Sequence, residues 1–305
     1  MINDWSNAMQ NNIQRIQTTI DYIEQNLEND ITLEQLASMA YSSKFYYLRM
    51  FHAMVGESAM EYVRKRRVTY AANIILNTKM KLVDIAYKCG FQSQVNFSRT
   101  FKQIYGITPM ECRKKVKAVE IYEKINLLGR SFSKEKSSLL HGPVIVEKKG
   151  FTVVGKLIKV SYEDNFNSTV VFEFWMEFLK CINEIKGVIN PLTVYGISFE
   201  SKYHKYCNYM VCIEVENLKN IPKGMIGRII PDYKYAVFNF MGMDDISNYK
   251  REYFKAVDFI YGHWYPLSEY KLDTNNDLIE IITSDDEHLS NISMDIYLPI
   301  KGDTL

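Results

Sequence analysis

The sequence predicts two domains, an all-α domain over residues 1–116 and an α+β domain over residues 144–301, joined by a linker at 117–143. Length supports this division, since 305 residues are enough for two domains of ordinary size. Pattern supports it too, because apolar residues at helical spacing give way to alternating runs that begin at Val144. The segment between them is rich in Gly, Ser and charge and lacks periodicity.

Helices are predicted throughout residues 10–116. Ile16 and Ile20 recur at the spacing of one helix face, within a longer run of such positions. Thr32 stands where an N-cap is expected, and Gln35, three residues later, completes a capping box. These signals place helix starts as well as helix faces.

A repeat runs through this helical region. Segment 37–56 aligns with segment 86–106, and Arg49 matches Arg99 at an offset of 50 residues. Each copy consists of a short helix, a turn, a second helix that ends at a glycine, and a further helix. Residues 61–77, between the copies, are expected to form one long linking helix. The region is therefore predicted to hold two helix-turn-helix units.

Charge is distributed unevenly along the chain, although the net charge is only +1. Residues 31–116 carry a net charge of +9, whereas residues 117–305 carry −4. A basic segment beside an acidic one indicates a polyanion partner for the first domain alone. The alternative is a helical bundle whose solvated faces happen to be polar, and the repeat argues against it.

A helix-turn-helix places its second helix in the major groove of DNA, so the outward residues of that helix should be polar or basic. In the first unit, Leu48 and Phe51 are expected to face inward. Lys44, Phe45 and Arg49 are then expected to face outward.

The second unit is richer in side chains that recognise bases. Phe97 and Phe101 are expected to be internal, whereas Val95 is ambiguous. Amide side chains can bind adenine edges, and arginine can bind guanine edges. The polar side chains expected to lie mostly outward are Gln92, Gln94, Asn96, Ser98, Arg99 and Lys102.

Residues 86–113, AYKCGFQSQVNFSRTFKQIYGITPMECR, resemble the signature of the AraC/XylS family. The shared features are a Gly-Phe pair, an F-S-R-x-F-K core, and Gly-x-Thr-Pro before an Arg. The resemblance implies a transcription regulator that binds double-stranded DNA through two units on one chain, with RNA polymerase as a partner to consider. The reading positions that it implies are Phe45, Leu48 and Arg49 in the first unit and Gln94, Val95, Ser98 and Arg99 in the second.

Some positions depart from the family pattern. Tyr41 stands where the second unit has Gly90. Leu48 and Val95 occupy positions that often carry polar readers, so each either touches a thymine methyl group or packs internally. The complete set of predicted DNA-binding residues is Lys44, Phe45, Leu48, Arg49, Gln92, Gln94, Val95, Ser98, Arg99 and Lys102.

A strand-helix-strand-strand order is predicted twice in the carboxy-terminal region, first over 144–216 and then over 226–300. Val194 matches Leu278 at an offset of 84 residues. We therefore expect an α+β domain that contains two copies of one unit.

The sequence of this domain contains no G-x-S-x-G, no H-E-x-x-H and no glycine-rich phosphate loop. Its histidines have no metal-ligand spacing, and its cysteines form no C-x-x-C pair. We therefore expect neither an enzyme nor a protein that holds a cofactor or metal.

Aromatic residues and one acidic residue favour a small-molecule site. Glu280 lies in the apolar run Leu-Ile-Glu-Ile-Ile, where a buried carboxylate needs a cationic partner or a raised pKa. Aromatic faces attract cations and flat apolar molecules. In the alternative interpretation, Glu280 faces water by strand alternation and the aromatic residues form the core. The aromatic candidates are Trp175, Tyr195, Tyr209, Trp264 and Tyr265.

The same region resembles the GyrI-like effector-binding domain. The similar segments are 263–270 (HWYPLSEY), 277–281 (DLIEI) and 294–301 (MDIYLPIK). The resemblance implies two units related by a pseudo-twofold axis, with a cleft that accepts hydrophobic, often cationic, compounds. It implies Glu280 as the acidic residue of that cleft and Trp264 and Tyr265 as its aromatic wall. Some relatives look like hydrolases, so the alternative function is a DNA-binding protein whose second domain is a hydrolase or a drug-sequestering module.

The sequence contains no run of 18 apolar residues and no secretory signal pattern, and its five cysteines show no disulfide framework. We therefore expect a cytoplasmic protein with no membrane partner.

Overall fold

The computed structural model divides the chain into two compact units, a helical unit over residues 9–131 and a sheet unit that comprises residues 132–305, with which residues 1–8 are grouped. The described residues are 2–114, 121–128, 143–161, 168–200, 206–243, 249–268, 270–273, 275–285 and 292–301. Most of the predicted linker, namely 117–120 and 129–142, lies outside these ranges, so its boundaries stay a prediction.

The predicted helical region is confirmed. Its helices are α1 Ile2–Gln25, α2 Leu33–Met39, α3 Lys44–Val55, α4 Ala59–Asn77, α5 Leu82–Lys88, α6 Gln94–Tyr105 and α7 Pro109–Lys114. Helices α2 and α3 form the first helix-turn-helix unit, and α5 and α6 form the second. Helix α4 is the predicted linking helix.

Short polar side chains cap these helices. Gln35 N donates to Thr32 Oγ1 at 3.2 Å, and Thr32 N donates to Gln35 Oε1 at 2.9 Å, which confirms the predicted capping box at α2. Ser43 and Ser93 cap α3 and α6, the two expected reading helices. Each cap satisfies a backbone amide at a helix start and typically contributes about 1 kcal/mol.

Helix α4 holds the second unit through an apolar core. Val68, Ala72 and Ile75 of α4 pack with Phe97 and Phe101 of α6, and all five side chains are at most 3% exposed. Small and β-branched side chains on α4 let the two aromatic rings of α6 approach closely. The inward assignment of Phe97 and Phe101 is therefore confirmed.

The turns of the two units share a left-handed backbone position but differ in its residue. Gly90 has a φ of +71° in the second unit, and Tyr41 has a φ of +50° in the first. A side chain at such a φ is strained by roughly 1–2 kcal/mol. The Tyr41 side chain is 82% exposed. The departure at Tyr41 thus adds strain to the first turn without abolishing its left-handed backbone.

Part of the predicted linker packs against the helical unit. The backbone N–H of Leu127 donates to Gln17 Oε1 at 2.7 Å, and Lys124 Nζ lies 2.6 Å from Asp21 Oδ1. Leu127 is buried. Residues 121–128 therefore extend the helical unit beyond α7.

The sheet unit contains the predicted strands and helices. Its strands are β1 Val144–Lys148, β2 Phe151–Ser161, β3 Thr193–Glu200, β4 Tyr206–Glu214, β5 Ile226–Ile230, β6 Tyr233–Met243, β7 Leu278–Thr283 and β8 Ile292–Pro299. Its helices are α8 Ser168–Leu179, α9 Tyr249–Asp258 and α10 Tyr265–Leu267, with a π-helical segment Phe259–Trp264 between the last two. A short 3-10 turn, Ile182–Glu184, follows α8. The predicted strand over 226–241 is two strands, because Pro231 has no backbone N–H with which to continue the ladder.

One antiparallel sheet holds these strands in the order β1-β6-β8-β7-β3-β4-β2-β5. In the two predicted copies, β1, β2, β3 and β4 correspond to β5, β6, β7 and β8. If each strand is exchanged with its counterpart, the same sheet order results, read backwards. The predicted duplication and pseudo-twofold relation are therefore confirmed. The axis passes between β3 and β7, where Gly196 pairs directly with Glu280.

Two very short connections determine the curvature of the sheet. The connection from β1 to β2 consists of Lys149 and Gly150, and the connection from β5 to β6 consists of Pro231 and Asp232. In both cases the two connected strands lie near opposite ends of the sheet order. Such a connection spans only about 10 Å, so the sheet must curl until its ends meet. Asp232 accepts hydrogen bonds from Gly150 N at 2.7 Å and Lys149 Nζ at 2.9 Å, which holds the two turns together.

The curl gives the sheet an inner face and an outer face. The ammonium of Lys148 lies 4.6 Å from the ring centre of Phe151, 5.6 Å from that of Tyr297 and 6.0 Å from that of Tyr195. These residues come from the first, seventh, third and fifth strands of the order, so only the inside of the curl brings them together. The other face carries α8, whose Trp175 meets the sheet at Gly196.

No helix of the described chain is long and apolar enough to cross a bilayer. Within the same residues, no group of three or more His, Cys, Asp or Glu is placed to hold a metal ion.

Replacing Gly90 with Ala is expected to destabilise the helical unit more than replacing Gly106 with Ala. The two glycines have φ values of +71° and +72°, so both variants carry the same backbone strain. An added Cβ at Gly90 would lie 2.6 Å from Arg67 Cζ, whereas one at Gly106 meets nothing within 4 Å. Thermal unfolding followed by far-UV circular dichroism should give the lower Tm for Gly90→Ala, and equal losses would contradict the clash.

Candidate nucleic-acid interface and buried carboxylate site

Helix α6 presents an exposed polar face. Ser93 is the N-cap of the helix, and its Oγ accepts a hydrogen bond from Asn96 N at 3.2 Å. Phe97 and Phe101 anchor the opposite face, with ring centres 5.7 Å apart. The predicted readers divide accordingly: Gln92, Gln94, Val95, Arg99 and Lys102 are exposed, and Ser98 is half-buried.

Two positive side chains on this face are not engaged by other side chains among the described residues. The side chains of Arg99 and Lys102 have no hydrogen bond or ion pair to any residue in the described part of the chain. Val95, which the sequence left ambiguous, is 71% exposed and does not pack into the core. The face therefore offers amide, guanidinium, ammonium and methyl groups together, which is the set of groups that reads base edges and phosphates.

Helix α3 differs from α6 in exposure. Phe45, Leu48 and Arg49 are 8%, 6% and 7% exposed. The expectation that Phe45 and Arg49 face outward is therefore wrong for this conformation, whereas the inward assignment of Leu48 and Phe51 agrees with their burial. Contact of DNA with Phe45, Leu48 and Arg49 stays a prediction.

Contacts between side chains of α3 contribute to the burial of Phe45 and Arg49. The guanidinium carbon of Arg49 lies 4.2 Å from the ring centre of Phe45, one helical turn earlier. Phe45 also packs edge-on against Tyr46, with ring centres 5.2 Å apart. A cation over an aromatic face is attractive, so this contact stabilises an arginine that is largely removed from water. Lys44 lies 3.6 Å from Glu34 Oε2, and its side chain is mostly covered.

The carboxylate of Glu280 lies at the centre of the sheet unit. It is 1% exposed, so the alternative in which Glu280 faces water by alternation is wrong. Tyr209 Oη donates to Glu280 Oε2 at 2.7 Å, and Trp175 Nε1 donates to Tyr209 Oη at 2.9 Å. Trp175 and Tyr209 are buried as well. The three side chains, contributed by β7, β4 and α8, form a hydrogen-bonded chain that ends on the carboxylate.

Burial raises the pKa of Tyr209 well above its usual value, and the nearby carboxylate of Glu280 raises that pKa further. The phenol therefore keeps its proton and acts as a donor to Glu280. A buried carboxylate without such donors is costly, by several kcal/mol.

Gly196 provides the space for this arrangement. A Cβ at Gly196 would lie 2.4 Å from Tyr209 Oη, 2.9 Å from Trp175 Cζ2 and 3.0 Å from Glu280 Oε2. Any other residue at Gly196 would collide with Tyr209 and Trp175 and crowd Glu280. The glycine is therefore required by a close approach rather than by its backbone angle.

The remaining predicted ligand residues are distributed over both faces of the sheet. Tyr195 precedes Gly196 in β3 and so points to the inner face, where its Oη donates to Glu214 Oε2 at 2.9 Å. Tyr195 therefore does not belong with Glu280. Trp264 packs edge-on against Phe238, with ring centres 4.8 Å apart.

Trp264 and Tyr265 lie on the outer face of the sheet, at a distance from the carboxylate. Phe238 pairs with Ile296, and Ile296 pairs with Glu280, so Phe238 and Glu280 share a face two strands apart. The ring centres of Trp264 and Tyr265 are 6.4 Å apart. The structure thus joins Trp175, Tyr209 and Glu280 directly, whereas Trp264 and Tyr265 lie on the same face without a contact to them among the described residues.

Sequence reasoning missed Gly196 and the pairing of Tyr209 with Glu280. Gly196 had a signal, since a lone glycine inside a strand marks a close approach. The pairing of Tyr209 with Glu280 had none, because 71 residues separate them in the chain.

Two known families match the chain. Residues 144–300, just over half of the chain, match the family described as integron-associated effector binding protein (Cass2). Residues 36–115 match the family described as helix-turn-helix domain (HTH_18).

Similar proteins are known for each region. The HTH-type transcriptional regulator YbfP of Bacillus subtilis is 39% identical over 94 residues, which cover 31% of this chain and 32% of YbfP. The regulatory protein SoxS of Salmonella typhimurium is 34% identical over 100 residues, which cover 33% of this chain and 94% of SoxS. The solved structure of the integron cassette protein VCH_CASS2 of Vibrio cholerae is 14% identical, with a TM-score of 0.39, and the match covers 52% of this chain and 96% of that one.

The helix-turn-helix match thus spans about a third of YbfP and nearly all of SoxS. The effector-domain match covers most of the sheet unit. On both grounds the chain belongs to the AraC-type transcription regulators, and its carboxy-terminal region is a GyrI-like effector-binding domain of the Cass2 family.

Proposed function

We propose that this regulator reads its DNA site mainly through helix α6 and responds to a lipophilic cation that binds at Glu280. The observation that carries the proposal is a carboxylate buried at the centre of the effector-binding domain and held there by the phenol of Tyr209. Binding of RNA polymerase stays a prediction.

The exposure of α6 supports the assignment of DNA reading. Arg99 and Lys102 are exposed and unpaired among the described residues, so neither must break an internal contact before it meets DNA. Gln94 at the helix start and Arg99 five residues later are both exposed, and side chains of this kind form bidentate contacts with adenine and guanine. The first unit, with Phe45 and Arg49 buried, requires a rearrangement before it reads bases.

The chemistry around Glu280 supports a cationic, apolar ligand. A carboxylate in a low-dielectric site attracts a cation strongly, because water does not screen it. The neighbouring side chains, Trp175 and Tyr209, are aromatic and present faces that attract cations. A small hydrated cation gains little from such walls, whereas a lipophilic cation also gains from burial of its apolar surface.

Access to Glu280 requires local opening. Trp175, Tyr209 and Glu280 are each at most 2% exposed. Helix α8 covers the carboxylate through Trp175, so the ligand must displace part of this helix or of its neighbours on the same face. The π-helical segment Phe259–Trp264 is one such neighbour, and π-helical turns are frequent at functional sites.

Regulation requires that the ligand bind the free and DNA-bound states with different affinity, since a ligand of equal affinity shifts nothing. The proposal therefore includes a difference in DNA affinity between the ligand-bound and ligand-free protein.

Arg99→Ala is expected to weaken binding to the specific DNA site by about 1–3 kcal/mol and to relax the preference at one base pair. Binding should be measured by fluorescence anisotropy at fixed salt, on a duplex selected by the full chain from random sequences. Arg64→Ala, which removes an exposed arginine from α4, is the matched control and should leave the base preference intact. Unchanged specific affinity in Arg99→Ala would show that α6 is not the reading helix.

Glu280→Gln is expected to weaken the binding of tetraphenylphosphonium by about tenfold, which corresponds to about 1.4 kcal/mol. The amide keeps the shape of the side chain but removes the charge that attracts the cation. Titration calorimetry on the full chain measures the change, with neutral triphenylphosphine oxide as a comparison ligand.

Glu214→Gln is the matched control for this experiment. Glu214 is also a carboxylate bonded to a tyrosine, Tyr195, but it lies on the inner face of the sheet. The control should bind the cation as the unchanged chain does. Equal affinity of Glu280→Gln and the unchanged chain would contradict a ligand site at Glu280. If the unchanged chain hydrolyses a reactive ester and Glu280→Gln does not, the domain is a hydrolase instead.

A further inference from the structure

Three backbone carbonyls from separate parts of the helical unit converge on the guanidinium of Arg67 in α4. Its Nε donates to Leu27 O at 3.0 Å and its Nη2 donates to Asn29 O at 2.5 Å. Both acceptors lie in the connection between α1 and α2, next to the first helix-turn-helix unit. Its Nη1 donates to Gly90 O at 2.8 Å, in the turn of the second unit. One side chain therefore joins the connection that leads into the first unit to the turn of the second unit.

The hydrogen-bond acceptors of this guanidinium are carbonyl oxygens. Among the described residues, no carboxylate lies within 4 Å of its nitrogen atoms. Burial lowers the pKa of Arg67, which shows that the charge is partly removed from water. Hydrogen bonds from a charged donor are roughly twice as strong as neutral ones. The planar fork of arginine also fixes the directions of its donors, which a lysine ammonium does not do.

The second unit is shaped to receive Arg67. Gly90 has a φ of +71°, and a Cβ there would lie 2.6 Å from Arg67 Cζ. The glycine thus serves the turn and also lets the guanidinium reach the Gly90 carbonyl. The corresponding residue of the first unit is Tyr41. The guanidinium carbon of Arg15 in α1 lies 5.5 Å from the Tyr41 ring centre, and among the described residues Tyr41 makes no polar or ring contact with α4.

Other contacts between α4 and the second unit do not fix its position in the same way. Val68 and Ile75 pack against the α6 rings through apolar contacts, which are non-directional. Thr69 Oγ1 and Tyr105 Oη lie 3.0 Å apart, but this bond ties α4 to the far end of α6 without reaching the first unit. Glu28, in the connection between α1 and α2, also pairs with Lys88 of α5, but this ion pair is largely exposed and therefore contributes little.

We infer that Arg67 is a positioning residue that fixes α6 relative to the first helix-turn-helix unit and so determines the spacing of the two DNA segments that the chain accepts. This inference rests on the proposed reading of DNA by α6 and adds that the first unit contacts the same duplex. One base pair displaces the next segment by about 3.4 Å and rotates it by about 35°. A rigid link between the units rejects such a change, whereas a loosened link accepts it.

The test uses the full chain and the duplex that it selects from random sequences. One base pair is inserted or removed between the parts of this duplex that the two helix-turn-helix units contact. Dissociation constants are then measured at fixed salt. The unchanged chain should lose at least tenfold in affinity for either altered spacing. Arg67→Ala should bind the selected duplex more weakly and lose less than threefold on changing the spacing. Arg67→Lys, which keeps the charge but not the fork, should fall between them.

Arg64→Ala on the same helix is the control and should keep the spacing penalty of the unchanged chain. Measurements are made well below the Tm of each variant, so a general loss of stability does not mimic the effect. If Arg67→Ala fails to fold, Arg67→Lys decides the question. A full spacing penalty in the folded Arg67 variants, or none in the unchanged chain, overturns the inference and leaves the DNA reading by α6 in place. Failure to select any duplex would instead overturn the proposed function.

Discussion

Burial of the Glu280 carboxylate is the constraint around which the sheet unit is arranged. Removing a carboxylate from water costs several kcal/mol unless donors replace the lost solvent. Tyr209 supplies a donor, Trp175 holds the phenol in place, and Gly196 leaves the space that all three side chains occupy. The duplication matters as well, because Gly196 and Glu280 are equivalent positions that pair across the pseudo-twofold axis. A carboxylate at both positions would set two like charges opposite each other, which is destabilising. The two halves of the unit therefore share a topology but differ at this position, where symmetry would be costly.

The two helix-turn-helix units show the same divergence at the level of side chains. Their helices, caps and closing glycines correspond, yet α6 exposes its polar face and α3 buries most of its length. The difference follows from the residues at matched positions: α3 carries Phe45 and Leu48 where α6 carries Val95 and Ser98. Large aromatic and aliphatic side chains gain free energy from burial, and Arg49 follows Phe45 through its contact with the ring. A repeat in sequence therefore predicts a repeat of backbone structure more reliably than a repeat of function.

The features that the sequence predicted correctly are those that local or periodic patterns encode. The capping box at Thr32, the linking helix and the duplicated strand order each follow from spacing within a short window or at a fixed offset. The features that it missed depend on contacts between distant segments. The exchange of β1 and β5 between the two halves has no local signal, and it determines the curl of the sheet. The face on which Tyr195 lies depends on the register of β3 against β7, where a shift of one residue exchanges the two faces. Burial of Glu280 likewise required knowledge of what covers the outer face.

Arg67 and Glu280 illustrate one division of labour between apolar and polar contacts. In each unit, apolar surfaces supply most of the free energy that brings the elements together, but such contacts are non-directional and tolerate small shifts. Hydrogen bonds weaken steeply when their angle or distance changes, so a buried polar side chain that meets partners from several elements selects one arrangement among many of similar packing. Arg67 does this for carbonyls of the connection between α1 and α2 and of the turn in the second helix-turn-helix unit, and Glu280 does it for side chains from β4 and α8 through Tyr209. Stability and position are therefore governed by different residues. A conservative change at either polar residue should alter what the protein recognises by more than it alters whether the protein folds.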